Sequence, residues 1–256
     1  WVNPGEVPNN GADDDGNGYV DDVYGYNFRE MNARVGDFNP SSQHGTWTSG
    51  IAVGDGSGGT LTGVAPRARL MVLLAGGSHT SYPLAYQYAI EHGADVLTMS
   101  FSIPGLGQLR GLWRLMAEHA AAAGLVQVSG AGNFRQIARH PVQLRPREDG
   151  RAVLAVGGVD RDFNLAPCSS PGPVEWASVA LYGDDAPVKP DVVAFPGPGL
   201  PLLGLASEGY LSEQNTRRGN SFSGPHAAGV AALVLRAAPE MPAWRVTAIL
   251  EAPATD

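Results

Sequence analysis

Three short segments carry side chains that could perform acyl-transfer chemistry. In GNSFSGPHAAG, Ser221 precedes a small, apolar helical stretch, so it lies near the donor-rich end of the predicted helix. In QHGTWTSGIAVG, His44 opens another predicted helix and could take a proton from a hydroxyl group. In VSGAGN, Asn133 ends a predicted strand and could donate its amide N–H to a developing oxyanion. Together these residues suggest a nucleophile, a base and an oxyanion donor.

Each residue also has an ordinary structural interpretation. Ser221 could be a helix N-cap, His44 a structural histidine and Asn133 a turn residue. The three segments occur together, in this order, and are spread along the sequence over the length of a domain. Their joint occurrence favours the catalytic interpretation. His226 lies on the same predicted helix as Ser221.

The elements that must position these residues alternate between apolar strands and helices, which predicts a parallel α/β sheet. Active sites of such sheets lie at the carboxyl ends of strands, where the segments Ser100–Gly105 and Ser129–Asn133 are expected. The charge-rich stretch Gln136–Arg151 contains two prolines and is interpreted as a surface loop. The predicted strands are Arg69–Leu74, Asp95–Ser100, Leu125–Ser129, Val153–Val156 and Val188–Val193; the predicted helices are His44–Val53, Pro83–His92, Gln108–Ala123, Ser223–Ala237 and Ala243–Leu250.

The whole set of motifs resembles the subtilases, the subtilisin-like serine endopeptidases. Besides the three segments above, the resemblance rests on GVAPRARLMVLLA, GADVLTMSFS, AVLAVGGVD and KPDVVAFPG. It implies an α/β, subtilisin-like fold with a mostly parallel central sheet and helices on both faces. It also implies that Ser221 is the nucleophile, His44 the base and Asn133 the oxyanion donor of a peptidase acting on proteins or peptides. The implied substrate-binding residues are Ser100, Phe101 and Ser102 on one wall and Ser129, Gly130, Ala131 and Gly132 on the other.

The sequence departs from the family pattern in several places. Trp47 replaces a histidine, and Asn220, Phe222 and Ser223 replace the usual neighbours of the nucleophile. No Asp-Thr-Gly or Asp-Ser-Gly precedes His44, and Asp37 matches the loop before the histidine rather than the triad member. We therefore expect the catalytic aspartate to lie upstream of Trp1, on a missing N-terminal segment, and the chain alone to be weakly active or inactive. The alternative is a catalytically inactive subtilase fold used for peptide binding or assembly.

An acidic segment within residues 1–30 has the early spacing of a calcium loop, with oxygen ligands at alternate positions and a glycine at the sixth. Tyr24 stands where an EF-hand has its bidentate glutamate, so the segment is not an EF-hand. A solvated acidic turn is the alternative interpretation. The expected Ca²⁺ ligands are Asp13, Asp15, Asn17, the Tyr19 carbonyl group and either Asp21 or Asp22.

Composition limits the remaining function classes. The 256 residues are predicted to form a single catalytic domain, 1–256, and the net charge of −8 without a basic cluster argues against nucleic acid as a partner. Cys168 is the single cysteine, so no internal disulfide is possible, and no apolar run approaches the ~18 residues of a membrane span. The resemblance implies an extracellular or secreted protein. An α/β-hydrolase esterase is disfavoured because position 223 is serine, not the glycine of G-x-S-x-G.

Overall fold

A computed structural model describes residues 1–36, 43–76, 78–103, 105–139 and 143–252. The chain divides into two compact units, the first formed by residues 1–43 and 68–94 and the second by residues 44–67 and 95–256. The strands are β1 (Gly25–Asn27), β2 (Val72–Leu74), β3 (Val96–Met99), β4 (Val126–Gly130), β5 (Leu154–Gly158), β6 (Val192–Ala194), β7 (Pro201–Leu205) and β8 (Tyr210–Gln214); the helices are α1 (His44–Val53), α2 (Ser81–Glu91), α3 (Leu109–Ala122), α4 (Asn220–Ala237) and α5 (Ala243–Glu251).

The first unit holds a parallel pair of strands, β1 and β2, together with α2. Its core is aromatic: the rings of Tyr19 and Phe28 contact each other and the ring of Tyr88 edge to face, and Tyr26 packs against both Tyr19 and Phe28. Such edge-to-face pairs add stabilisation beyond the apolar area they bury. The acidic segment thus lies in a unit that has an apolar core of its own.

The second unit is built on a parallel sheet in the order β3-β4-β5-β6. Val126 and Val128 of β4 and Leu154 and Val156 of β5 point to one face, where α4 and α5 cover them. Gln127 points to the other face and donates from Nε2 to the Ala117 carbonyl group of α3 at 2.7 Å. Because helices cover both faces, the strands are apolar nearly throughout, as the sequence predicts for a parallel sheet.

An antiparallel hairpin of β7 and β8 supports α1 in the same unit. Trp47 and Ile51 of α1 form a buried cluster with Leu202 of β7 and Phe222 of α4. The sequence analysis did not identify this hairpin, because its strands lack a strong alternation of apolar and polar residues. The predicted helix His44–Val53 has the bounds that the structure gives to α1.

Three expectations need correction. The helix predicted to begin at Ser223 begins at Asn220, so Ser221 lies in its first turn and Pro225 lies inside it. The strand predicted over Val188–Val193 is Val192–Ala194, since Pro190 offers no N–H group to a sheet. The stretch Gln136–Arg151 is not a surface loop throughout, because residues 143, 144 and 146–150 are buried; residues 140–142 lie outside the described residues.

No helix within the described ranges has the length and apolarity needed to cross a membrane.

Candidate active site

The first turn of α4 packs directly onto the carboxyl ends of β4 and β5. A Cβ atom at Gly130 would lie 2.4 Å from the Asn220 carbonyl oxygen, and one at Gly158 would lie 2.5 Å from Asn220 Oδ1. The Asn220 side chain is fully buried and donates from Nδ2 to the Gly132 carbonyl group at 2.9 Å and to Ser169 Oγ at 3.0 Å. Asn220 and the two glycines therefore fix the position of the helix start on the sheet.

Ser221 is tied to the segment that follows β3. Pro225 has no N–H group, so it leaves the Ser221 carbonyl oxygen without its usual helical donor. The Ser100 hydroxyl donates to this oxygen at 3.0 Å, and the Ser221 hydroxyl donates in return to the Ser100 carbonyl oxygen at 3.3 Å. The side chain of Ser221 is partly exposed, and no capping bond is made by the N-cap residue, Gly219. The N-cap interpretation of Ser221 is therefore wrong.

Asn133 lies on the other side of Ser221. Its Oδ1 accepts the backbone N–H of Asn220 at 2.8 Å. That bond turns Nδ2 towards Gly219, where a Cβ atom would lie 3.1 Å from it. The residue is exposed, and within the described part of the chain Nδ2 donates no hydrogen bond. Its N–H groups are thus available to a bound oxygen atom beside Ser221.

His44 is exposed at the start of α1, the helix that packs against α4. Its ring centroid is 6.4 Å from that of Phe222, the residue after Ser221, and 6.3 Å from that of Trp47. The guanidinium group of Arg217 stacks on the Trp47 ring at 4.2 Å. His226, in contrast, is largely buried in α4, where burial lowers its pKa and its Nδ1 is 2.7 Å from the Phe222 carbonyl oxygen.

The structure places the seven predicted substrate-binding residues in two groups around Ser221. Ser100, Phe101 and Ser102 follow β3 and are accessible, with Phe101 41% exposed. Ser129, Gly130, Ala131 and Gly132 are buried at the end of β4. The Phe134 ring lies over this second group, because a Cβ atom at Gly132 would meet it at 2.8 Å. The surface presented on that side therefore belongs to Phe134, which the sequence analysis did not select.

A buried charged segment lies behind the first group. The Ser102 hydroxyl donates to Glu148 Oε1 at 2.5 Å, and Glu148 is fully buried. Burial raises the pKa of Glu148 to about 8, although Arg147 and the Ser102 hydrogen bond act in the opposite direction. Asp149 is held by Arg110 at 2.8 Å, and burial raises the pKa of this carboxyl group as well.

The acidic segment brings together a group of carboxylates that differs in part from the predicted set. Ligand oxygens of Glu6, Asp13 and Asp15 all lie within 4.8 Å of one another. Asp21 lies outside this group and accepts the N–H groups of Asn10 and Gly11. Asp22 also lies outside it; its buried carboxylate accepts from Tyr88, Asn3 and Asn17.

Asn17 and Tyr19 lie in the same loop, where Asn17 Oδ1 accepts the Tyr19 N–H at 2.7 Å. Glu6 Oε2 is buried and has no hydrogen-bond partner among the described residues, while Oε1 accepts the N–H groups of Asp14 and Asp15. A set of hard carboxylate oxygens with one unpaired and buried fits a Ca²⁺ ion. Glu6 was missed because it precedes the recognisable spacing by seven residues.

The second unit has an α/β architecture built on a parallel sheet, and comparisons with known proteins identify the family. Residues 8–256 match the Peptidase_S8 subtilase family, so the chain belongs to the subtilases. Family membership supports a serine peptidase function and protein substrates.

Curated relatives span a range of lengths. Subtilisin DY of Bacillus licheniformis is 29% identical over 83% of this chain and 70% of that protein. Subtilisin-like protease SBT6.1 of Arabidopsis thaliana is 30% identical over 79% of this chain, but the match spans only 18% of that protein. Subtilisin-like protease 1 of Plasmodium berghei is 26% identical over 94% of this chain and 40% of that protein. The chain thus covers less than half the length of the last two relatives.

The fold is also found in a solved structure, that of a cold adapted subtilisin-like serine proteinase. The two chains agree with a TM-score of 0.62 at 21% identity, over 90% of this chain and 73% of the other. The predicted subtilisin-like α/β fold is therefore confirmed.

The raised pKa of Glu148 predicts a pH-dependent stability. A carboxyl group whose pKa rises from 4.5 to about 8 on folding holds its proton more tightly in the folded chain. Its contribution to the free energy of unfolding is therefore complete below pH 4.5 and is lost as the pH rises through about 8. Asp149, whose pKa is also raised, acts in the same direction. We expect urea midpoints to fall between pH 5 and pH 9, and to fall less in Glu148→Gln.

The control is Glu175→Gln, a change of the same type at an exposed glutamate of the same unit. Equal pH dependence in the chain and in Glu148→Gln would show that Glu148 does not hold the proton.

Proposed function

We propose that this chain is a serine endopeptidase that hydrolyses peptide bonds through Ser221, His44 and an aspartate. The observation that carries the proposal is the first turn of α4, which holds Ser221 between the Ser100 carbonyl group and the amide of Asn133. A carbonyl carbon of a substrate placed against Ser221 Oγ would have its oxygen near the unengaged N–H groups of Asn133.

The steps follow from the chemistry of these groups. Ser221 attacks the carbonyl carbon while His44 accepts the hydroxyl proton, which it later gives to the leaving amine. Asn133 stabilises the negative charge that develops on the carbonyl oxygen. The Ser221 hydroxyl group donates to the Ser100 carbonyl oxygen, so it must rotate away from this oxygen before it can react. Catalytic hydrogen bonds are often long or poorly aligned in structures without substrate.

The family resemblance calls for an aspartate that orients His44. Asp37, the carboxylate nearest to His44 in sequence, lies outside the described residues. The exposed backbone of Ser100–Ser102 is proposed to pair with the substrate as an added strand. The substrates are proteins or peptides, and the protein acts outside the cell.

We further propose that the acidic loop binds a structural Ca²⁺ ion through Glu6, Asp13 and Asp15, with Asn17 and the Tyr19 carbonyl group as additional ligands. The support is the close grouping of three carboxylates and the unpaired, buried Oε2 of Glu6. Asp21 and Asp22 are left out of this set because their carboxylates lie outside the close group that Glu6, Asp13 and Asp15 form.

Peptide hydrolysis tests the proposed reaction. The assay uses residues 1–256 and the same chain fused to an N-terminal strand that carries Asp-Thr-Gly. We expect cleavage in the fused chain, none above background in its Ser221→Ala variant, and a kcat lower by about 10²–10³ in Asn133→Leu, a magnitude taken from measurements on the relative subtilisin. Ser212→Ala, an exposed serine of β8, is the control and should keep full activity.

A folded fused chain that cleaves no peptide would favour the alternative, an inactive subtilase fold that binds peptides. Full activity of residues 1–256 alone would show that a carboxylate within the chain completes the triad, and Asp37 would be the first candidate.

Thermal unfolding tests the calcium site. Because Ca²⁺ binds only the folded loop, we expect about 2.7 kcal/mol of added stability when the ion is at 100 times its Kd. Glu6→Gln should reduce the rise in Tm that millimolar Ca²⁺ produces over chelator, whereas Glu30→Gln, an exposed glutamate of the same unit, should not. A Tm that does not respond to Ca²⁺ would contradict the site.

A further inference from the structure

Two arginines of the segment 143–150 stack on aromatic rings at opposite sides of the Ser221 site. The guanidinium carbon of Arg147 is 3.8 Å from the ring centroid of Phe101, one residue after Ser100. The guanidinium carbon of Arg145 is 3.5 Å from the ring centroid of Phe134, one residue after Asn133. One short segment therefore contributes a positive charge to each side of the site.

The space between these two sides is where a particular substrate side chain must lie. A reacting carbonyl group has its carbon against Ser221 and its oxygen against Asn133. As the family resemblance implies, the residue that carries this carbonyl group has its side chain between the segment after Ser100 and the segment that ends at Phe134. This is the residue before the scissile bond.

The charges around this space do not cancel. Arg147 is 1% exposed, and its three guanidinium nitrogens have no hydrogen-bond acceptor among the described residues. Glu148 Oε2 lies 4.0 Å from Arg147 Nη2, beyond hydrogen-bond distance, while Glu148 Oε1 accepts the Ser102 hydroxyl. Asp149 is engaged by Arg110. A guanidinium group carries donors and no acceptor, so these buried N–H groups need acceptors that the described residues do not supply.

Arg145 is the accessible member of the pair. It is partly exposed, and its side chain makes no hydrogen bond or ion pair within the described ranges. Burial raises the pKa of Glu148 to about 8, so near neutral pH this carboxyl group adds little negative charge. The segment therefore presents a net positive charge to whatever enters between Phe101 and Phe134.

We propose that the chain prefers an acidic side chain, glutamate or aspartate, at the substrate residue before the scissile bond. Arg145 is the specificity-determining contact, and Arg147 supplies a buried positive charge beneath Phe101. A substrate carboxylate would accept charge-assisted hydrogen bonds from the Arg145 guanidinium group, and the buried charge of Arg147 adds an attraction at longer range. The inference rests on the proposed peptidase function, whose substrate class it specifies.

The test compares peptides that differ only in the residue before the scissile bond: Glu, its neutral counterpart Gln, or Lys. On the chain fused to the Asp-Thr-Gly strand, we expect kcat/KM for Glu to exceed that for Gln by about tenfold, the effect of one charge-assisted hydrogen bond. Lys should be the poorest residue. Arg145→Gln should bring the Glu/Gln ratio close to one, whereas Arg236→Gln, an exposed arginine in the last turn of α4, should leave it unchanged.

A second readout separates this inference from the proposed reaction. Binding of the same peptides to the Ser221→Ala variant is measured by calorimetry, which needs no hydrolysis. Tighter binding of the Glu peptide that is lost in the Ser221→Ala, Arg145→Gln double variant would support the inference even if no peptide is cleaved. Equal affinity for the Glu and Gln peptides, tighter binding of the Lys peptide, or no binding of any peptide would overturn the inference.

Discussion

The site depends on how the first turn of α4 is held against the ends of the sheet strands. Asn220 connects this turn to the segment after β4, since its backbone donates to Asn133 and its buried amide donates to Gly132 and Ser169. Pro225 has no N–H group to donate to the Ser221 carbonyl oxygen, and the Ser100 hydroxyl group donates to this oxygen instead. The first turn of α4 is therefore joined to the segments after β3 and β4 by hydrogen bonds that a regular helix would not make. The candidate oxyanion donor is oriented by the same contacts, because the side-chain oxygen of Asn133 accepts the Asn220 N–H and its nitrogen donates no hydrogen bond among the described residues.

Charged side chains of the segment 143–150 are buried. A buried charge lowers the free energy of unfolding unless it is fully paired. Asp149 and Arg110 form an ion pair at 2.8 Å, and Arg110 also lies over the Trp176 ring at 4.3 Å. Arg147 and Glu148 are only partly compensated, by an aromatic ring and a hydroxyl group. Unsatisfied buried donors cost stability, and the Arg147 donors lie directly beneath Phe101, a proposed substrate-binding residue.

Local patterns in the sequence predict several elements that carry the site, but they do not predict contacts between distant parts of the chain. The small-residue pattern after His44 predicts α1 with its observed bounds, and the apolar runs predict β3, β4 and β5 to within one or two residues. The start of α4 was misplaced because its cap is the side chain of Asn133, 87 residues away, which no local pattern reveals. The segment 143–150 was expected at the surface because charged residues are usually exposed. Its partners, Ser102 and Arg110, lie about 40 residues earlier in the chain.

Activation of the Ser221 hydroxyl group by His44 can be tested by covalent labelling. The chain fused to the Asp-Thr-Gly strand is treated with a fluorophosphonate, and its peptides are analysed by mass spectrometry. We expect a single stoichiometric adduct on Ser221, lost in Ser221→Ala and formed far more slowly in His44→Ala. Labelling at other serines to the same extent, or a rate on Ser221 that His44→Ala does not change, would contradict it.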